Sequence, residues 1–253
     1  MDRRTLLALG LAGLATPSTA QEPGAAPAPA VRPTYEGLTF MSHRKPIRAI
    51  QYRPVGEGRR SAIVMMHGSG SNITSRGPWH WLAMQFAADG YHVLTPLFTD
   101  AEADNGIRPE RMMEAWRDVG EHGIDRFIDQ GIDRRRTAMF GYSLGSYVAV
   151  DGALGNSKAA AAIGLAGGVD VYTPRPPRRR IPVLMIRADG DTHVLPRNTA
   201  AWIRFLREHE ISVEEAVLSN SNHIFTAEKW QEIADISRAF YARNIGRTDQ
   251  TTA

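Results

Sequence analysis

The sequence predicts an α/β fold, a mainly parallel central sheet with helices on both faces. Three observations carry that expectation. From Tyr35 onward, short apolar runs of strand length alternate with longer stretches of helical periodicity. Repeated strand-helix alternation builds a parallel sheet that is buried on both sides. The stretch Thr137 to Val150, TAMFGYSLGSYVAV, places a serine between Gly141 and Gly145 where an apolar run gives way to a helix-like one. Finally, 253 residues with 43% hydrophobic and 23% charged content suit one sizeable globular domain.

Taken in order, Gly37 to Met41 and Ile47 to Tyr52 read as an opening antiparallel pair, and Ala62 to Met66 as a short buried strand. A helix is expected from Pro78 to Ala88, with proline near its start and Gly90 just past its end. Tyr91 to Leu94 is the next strand. Met112 to Ile128 carries helical periodicity, although Gly120 and Gly123 weaken its middle. After the glycine-flanked serine come strands at Ala159 to Leu165 and Ile181 to Ile186, a helix from Pro196 to Glu208, a strand from Val213 to Leu218, and a closing helix from Ala227 to Arg243.

Composition removes several classes of function. The formal charge is +3, and the basic residues are scattered apart from Arg175 to Arg180, which reads as a solvated loop. No stripe suited to nucleic acid stands out. The absence of cysteine excludes a disulfide framework, a thiolate metal site and a cysteine nucleophile.

The first twenty residues have the build of a signal peptide. Arg3 and Arg4 precede the apolar run LLALGLAGLA and the small-residue site Ser18-Thr19-Ala20. The apolar core is too short for a membrane span. The paired arginines resemble a twin-arginine signal, with an ordinary Sec signal as the alternative. Either exports the protein to the periplasm or beyond, with no membrane insertion once the signal is removed. Residues 21–34 are rich in proline and alanine and read as a flexible linker. The domain is expected over 35–245, followed by a disordered tail at 246–253.

The serine pattern is GxSxG, a nucleophile elbow, in which a tight strand-to-helix turn thrusts the serine hydroxyl into solvent. Side chains two residues either side would strike the neighbouring strand and helix, and glycine removes the collision. A serine hydroxyl needs a base to take its proton, and that base needs a carboxylate to orient it. Chain order in elbow enzymes is serine, acid, histidine. Only His193, His209 and His223 follow Ser143. His223, in the polar loop SNSNHIF after the strand Val213 to Leu218, is the expected base. His209 lies at a charged helix end and reads as solvated, and His193 as a loop residue.

The acid belongs on the loop leaving the strand Ile181 to Ile186, which offers Asp189 and Asp191. Asp191 is the expected acid, being farther past the strand. Asp189 suits the Asp-Gly turn. The oxyanion donors are expected to be the amide of Leu144, which follows the nucleophile, and that of Ser69 on His67-Gly68-Ser69-Gly70, with Gly68 as the alternative. His67 reads as structural.

The segments MMHGSGSN, YHVLTP, FGYSLGS, PVLMIRADGDTHVLP and SNSNHIF together resemble the successive landmarks of the α/β-hydrolase superfamily, most closely its dienelactone hydrolase-like branch. The resemblance runs from about Arg48 to Ile245. It implies an eight-stranded or nearly complete sheet, a Ser143-Asp191-His223 triad, and hydrolysis of a small-molecule ester without cofactor or metal. Two departures stand out. Dienelactone hydrolases use cysteine at the elbow, and Ser146 stands where a further glycine is common.

The short connection between Leu165 and Ile181 leaves little room for a cap, so the cleft is expected to be open. Its walls would come from Phe98 to Pro109, Trp79, Trp81 and Tyr142, the two tryptophans being equally suited to the core. The expected activity is that of an exported carboxylic-ester hydrolase. The alternatives are a serine peptidase of the prolyl-oligopeptidase type, for which a large extra domain is lacking, and a binding protein on a hydrolase scaffold.

Overall fold

A tight hairpin starts the sheet. β1 (Thr34–Ser42) pairs antiparallel with β2 (Lys45–Arg53), Thr34 opposite Arg53 and Ser42 opposite Lys45. The two-residue turn holds His43 and Arg44 at φ 43° and 68°, matching the twist of the paired strands. Both strands are longer than their apolar patterns indicate, because cross-strand pairing carries them past the last apolar residue. The structure is a computed structural model and describes residues 32–56, 61–70, 77–169 and 173–246. The expected signal segment, most of the linker and nearly all of the tail fall outside those residues.

Six further strands complete the sheet: β3 (Ser61–Met66), β4 (Tyr91–Pro96), β5 (Thr137–Tyr142), β6 (Ala161–Leu165), β7 (Val183–Ala188) and β8 (Val213–Leu218). Their order is β1-β2-β4-β3-β5-β6-β7-β8. β2 joins β4 antiparallel, and every pairing from β4 through to β8 is parallel. The sheet therefore matches the expected α/β-hydrolase architecture.

Five helices cover it: α1 (Gly77–Ala88), α2 (Glu110–Asp129), α3 (Leu144–Leu154), α4 (Pro196–Glu208) and α5 (Ala227–Asn244). Strand residues alternate faces with period two, and the two apolar layers follow that alternation. On one side Val64, Met66, Leu94 and Met139 pack with Trp116 and Phe127 of α2, Val148 of α3 and Trp202 of α4. On the other, Ile63, Met65, Val93 and Phe140 pack with Phe86 of α1 and Ile233, Phe240 and Tyr241 of α5.

Packing accounts for one sequence expectation and corrects another. The glycines of α2 do not interrupt it, because Gly123 lies against the sheet. A Cβ there would stand 3.2 Å from Val64 and Leu94 side chains, so the small residue lets helix and sheet close together. The run Arg175 to Arg180 is anchored, where a solvated loop was expected. Arg175 Nε donates to Asp151 Oδ2 at 2.9 Å, Arg179 reaches the carbonyls of Ala153, Ser157 and Ala159, and Arg180 pairs with Glu210. The carbonyls at the end of α3 need donors: the Arg179 side chain reaches that of Ala153, and the backbone N–H groups of Arg178 and Arg179 reach that of Leu154.

Every residue of α3 is buried. A helix apolar on all sides belongs inside a fold, and its one acidic group, Asp151, faces the buried Arg117 of α2 at 3.0 Å. That burial fixes the helix that begins immediately after Ser143. Ser143 follows β5, Asp191 follows β7, His223 follows β8, and His67 to Gly70 follow β3. All four lie beyond the carboxyl ends of their strands, where open α/β sheets bind ligands. Among the described residues between β6 and β7 there is no helix.

Candidate active site

Ser143 stands alone between β5 and α3 at φ 55°, ψ −122°. Such backbone strain costs on the order of 1–3 kcal/mol and persists only where the surroundings over-determine it. They do so here. The Ser143 N–H donates to the Leu165 carbonyl at 2.8 Å, and the Ser143 carbonyl accepts the Ser146 N–H at 2.9 Å. A Cβ on Gly141 would lie 2.0 Å from the Gly145 carbonyl oxygen, and one on Gly145 would lie 2.1 Å from that of Met66. The two glycines of the motif mark where α3 crosses against β5 and β3.

The structure joins Ser143, His223 and Asp191 in one hydrogen-bonded chain. His223 Nε2 is 2.9 Å from Ser143 Oγ, and His223 Nδ1 is 2.8 Å from Asp191 Oδ2. An ionised carboxylate only accepts, so Nδ1 carries the proton and Nε2 is free to accept the serine hydroxyl. Asp191 and His223 are 3% and 6% exposed, which keeps water from competing for this bond. The second oxygen of Asp191 accepts the N–H groups of His193 and Val194 at 2.8 and 2.9 Å. Its rotamer is thereby locked.

Asp189, the alternative acid, points elsewhere. Its two oxygens accept the backbone N–H groups of Asn220 and Ser221 at 3.0 and 3.1 Å, and these bonds hold its carboxyl below the usual carboxylate range. The Gly190 N–H returns a bond to the Ser221 carbonyl at 2.9 Å. Asp189 ties the loop after β7 to the loop bearing His223.

Three contacts of the histidine were not legible in the sequence. Tyr142, beside the nucleophile, donates its hydroxyl to the His223 carbonyl at 2.8 Å. Burial, with the nearby Asp191 charge, pushes that hydroxyl up to about 12, so it remains a donor. Asn222 Oδ1 accepts from His223 N and from both the amide and hydroxyl of Thr192. His193 stacks on the His223 ring, centroids 4.9 Å apart and planes 21° from parallel. The only sequence signal for these was the density of short polar residues in SNSNHIF. His209 is a helix cap, its Nδ1 lying 2.8 Å from the Phe205 carbonyl oxygen at the end of α4, where a solvated side chain was expected.

Leu144 opens α3, and the first amides of a helix have no carbonyl behind them within it. Gly68 packs against the nucleophile, since a Cβ there would be 3.4 Å from Ser143 Cβ. His67 is buried and stacks on Phe98 at 4.2 Å, with Nδ1 2.8 Å from the Gly68 carbonyl oxygen. Burial lowers its pKa, which keeps the ring neutral and makes Nδ1–H the donor. In a trans peptide the carbonyl and the following N–H point in opposite directions. Holding the Gly68 carbonyl therefore turns the Ser69 N–H away from the buried ring. Trp79 and Trp81 are partly buried against the core, with Trp79 5.7 Å from Phe140 and 6.4 Å from Tyr142.

Comparisons with known proteins agree with this architecture. Residues 63–247 match the model of the alpha/beta hydrolase family. No curated protein matches the chain. Among solved structures, a dienelactone hydrolase-like promiscuous phosphotriesterase from metagenomic libraries is similar with TM-score 0.71 at 13% identity, over 85% of this chain and 99% of that one. An esterase from Pyrobaculum calidifontis gives 0.69 at 18%, over 83% and 85%. An acylaminoacyl peptidase from Pyrococcus horikoshii gives 0.67 at 16%, over 88% of this chain and 43% of that one. This chain thus spans less than half the length of the peptidases it matches. Identities this low establish the shared fold. With the family model covering most of the domain, the chain belongs to the alpha/beta hydrolase family.

Proposed function

We propose that this protein is an exported serine hydrolase that cleaves carboxylic esters through an acyl-enzyme. The observation that carries the reading is the hydrogen-bonded chain Ser143-His223-Asp191 with its serine on a strained turn. His223 Nε2 takes the hydroxyl proton as Ser143 Oγ bonds to the ester carbonyl carbon, and Asp191 stabilises the imidazolium that forms. The oxyanion is met by the Leu144 and Ser69 amides. His223 returns the proton to the departing alkoxide as the carbon–oxygen bond breaks. Water, activated by the same imidazole, then frees the acid and restores the serine.

Short esters fit this site best. No helix stands between β6 and β7 among the described residues, so nothing there supplies the apolar cover that a long acyl chain would bury. Likeness along most of the esterase and the dienelactone hydrolase-like enzyme also favours esters. Likeness to an acylaminoacyl peptidase supports amide cleavage as a second reading, and an amide demands protonation of a worse leaving group. Export rests on Arg3, Arg4 and the apolar run behind them.

The test is turnover of acetyl, butyryl and palmitoyl esters and of aminoacyl amides by the purified protein, with and without chelator. Fastest cleavage of the short esters, unaffected by chelator, is expected. A preference for palmitoyl esters would overturn the substrate assignment, efficient amide cleavage would promote the peptidase, and no turnover at all would leave a binding protein on a hydrolase scaffold.

A further inference from the structure

The loop that follows β4 reaches across to the Ser69 side chain. Arg108 Nη2 donates to Ser69 Oγ at 2.9 Å, and Ser69 Oγ lies 3.2 Å from Asp104 Oδ2. The same guanidinium grips Asp104 with two bonds, Nε to Oδ1 at 2.9 Å and Nη2 to Oδ2 at 2.6 Å. Asp104 is braced in turn by the Gly106 N–H at 3.0 Å. The side chains of Arg108 and Asp104 are 17% and 14% exposed, and the Arg108 hydrogen bond holds the Asp104 carboxyl below its ordinary range. A forked, charge-assisted pair of this kind has a defined geometry as well as strength. Together with Thr99, Ala103 and Gly106 it walls a hollow of about 450 Å³ beside Ser69.

Ser69 itself is exposed, and its neighbour Gly68 packs on Ser143. A short exposed segment with a glycine on either side, Gly68 and Gly70, has little of its own to keep one amide in place. His67 holds the Gly68–Ser69 peptide from the buried side. Nothing but the Arg108-Asp104 pair grips the Ser69 side chain among the described residues.

We propose that Asp104 and Arg108 form a clasp on Ser69 that positions its amide as an oxyanion donor. This rests on the serine-hydrolase reading above. Both are positioning residues acting through Ser69, with no contact to the reacting atoms. The clasp acts on the transition state, because the oxyanion exists only there. Loosening it lowers kcat and leaves KM unchanged.

The experiment compares the full chain with Arg108→Gln, Arg108→Lys, Asp104→Asn, Ser69→Ala and the pair Ser69→Ala with Arg108→Gln. Each is measured for kcat and KM on an acetyl ester and for affinity toward an alkyl boronic acid, whose adduct on the serine is tetrahedral. Turnover and fluorophosphonate labelling of the unaltered protein first establish the hydrolase reading. If they are absent, that reading fails and the clasp falls with it.

With an active parent, Arg108→Gln is expected to lower kcat and boronate affinity together, each by about tenfold, with KM unchanged. This is less than the full loss of an oxyanion donor, which costs about a hundredfold or more. Arg108→Lys keeps the charge but not the fork, so it should restore only part of the rate. The double variant should be no slower than Ser69→Ala alone, since removing the hydroxyl already cuts its ties to both Arg108 and Asp104. Ser69→Ala removes only an exposed hydroxyl, and it supplies the measurement if the arginine variant misfolds. A raised KM at unchanged kcat would mean that Arg108 grips substrate. That result, additive losses or unaltered kinetics would each overturn the clasp.

Discussion

Asp189 accepts the Ser221 backbone N–H at 3.1 Å, and through that bond the loop bearing the acid is pinned to the loop bearing the histidine. Two residues later, Asp191 meets the imidazole. The two aspartates divide positioning from chemistry, and their variants should separate accordingly. Asp191→Asn is expected to lower kcat by about ten-thousandfold, the loss seen for the same change in another triad, because asparagine favours the wrong imidazole tautomer. Asp189→Asn keeps a side-chain acceptor for one amide, and its loss should be about tenfold or smaller. Steady-state kinetics on a short ester decide it, and the reverse ranking would exchange the roles.

Ser143→Ala should abolish turnover and fluorophosphonate labelling while leaving the unfolding midpoint within a few degrees of the parent. Alanine at this position keeps the Cβ and removes only the hydroxyl that forms the acyl-enzyme. Intact-mass analysis after probe treatment provides the readout. A label retained by the variant would exclude Ser143 as the nucleophile.

Gly145→Ala should cost about 3 kcal/mol or more, or prevent folding altogether. The added carbon would meet the Met66 and His67 carbonyl oxygens at 2.1 and 2.3 Å, and backbone cannot step aside as a flexible side chain can. Gly37→Ala is the control. It lies in β1 with nothing within 4 Å of the added carbon, and it should shift stability by no more than about 0.5 kcal/mol. Denaturant unfolding of the two variants gives the comparison.

Glu121 on α2 makes stability depend on pH. Burial, with the charge of Asp118 behind it, pushes its carboxyl up to about 7. In the native state it therefore holds its proton through a range in which the unfolded chain has released one. Stability from this group is fully present below the ordinary carboxylate pKa and falls as pH rises toward about 7. Glu121→Gln should be more stable than the parent by about 1 kcal/mol at about pH 8, a figure discounted for solvent screening of a partly open side chain, and no more stable at about pH 4. An equal difference at both pH values would remove the titration from the account.

Local pattern carried much of the architecture. Alternating apolar runs and helical periodicity located the strands and helices, because burial on both faces of a parallel sheet leaves a continuous apolar signature. The spacing of Gly141, Ser143 and Gly145 foretold a turn, since only glycine permits backbone at about 2 Å from where a Cβ would stand. Chain order narrowed the base to three histidines, and the loop leaving the strand Ile181 to Ile186 narrowed the acid to two aspartates. What the sequence alone could not decide was how side chains from distant loops turn toward one another. Asp189 and Asp191 are alike in type and two positions apart, and only the path of the loop beyond β7 sends one to an imidazole and the other to backbone amides. Arg179, His193 and His209 read as ordinary polar surface until carbonyls and a ring from other segments were placed against them. Periodicity reports which face of an element is buried. Hydrogen bonds between loops depend on where the folded sheet brings their ends, and that is set by the whole chain.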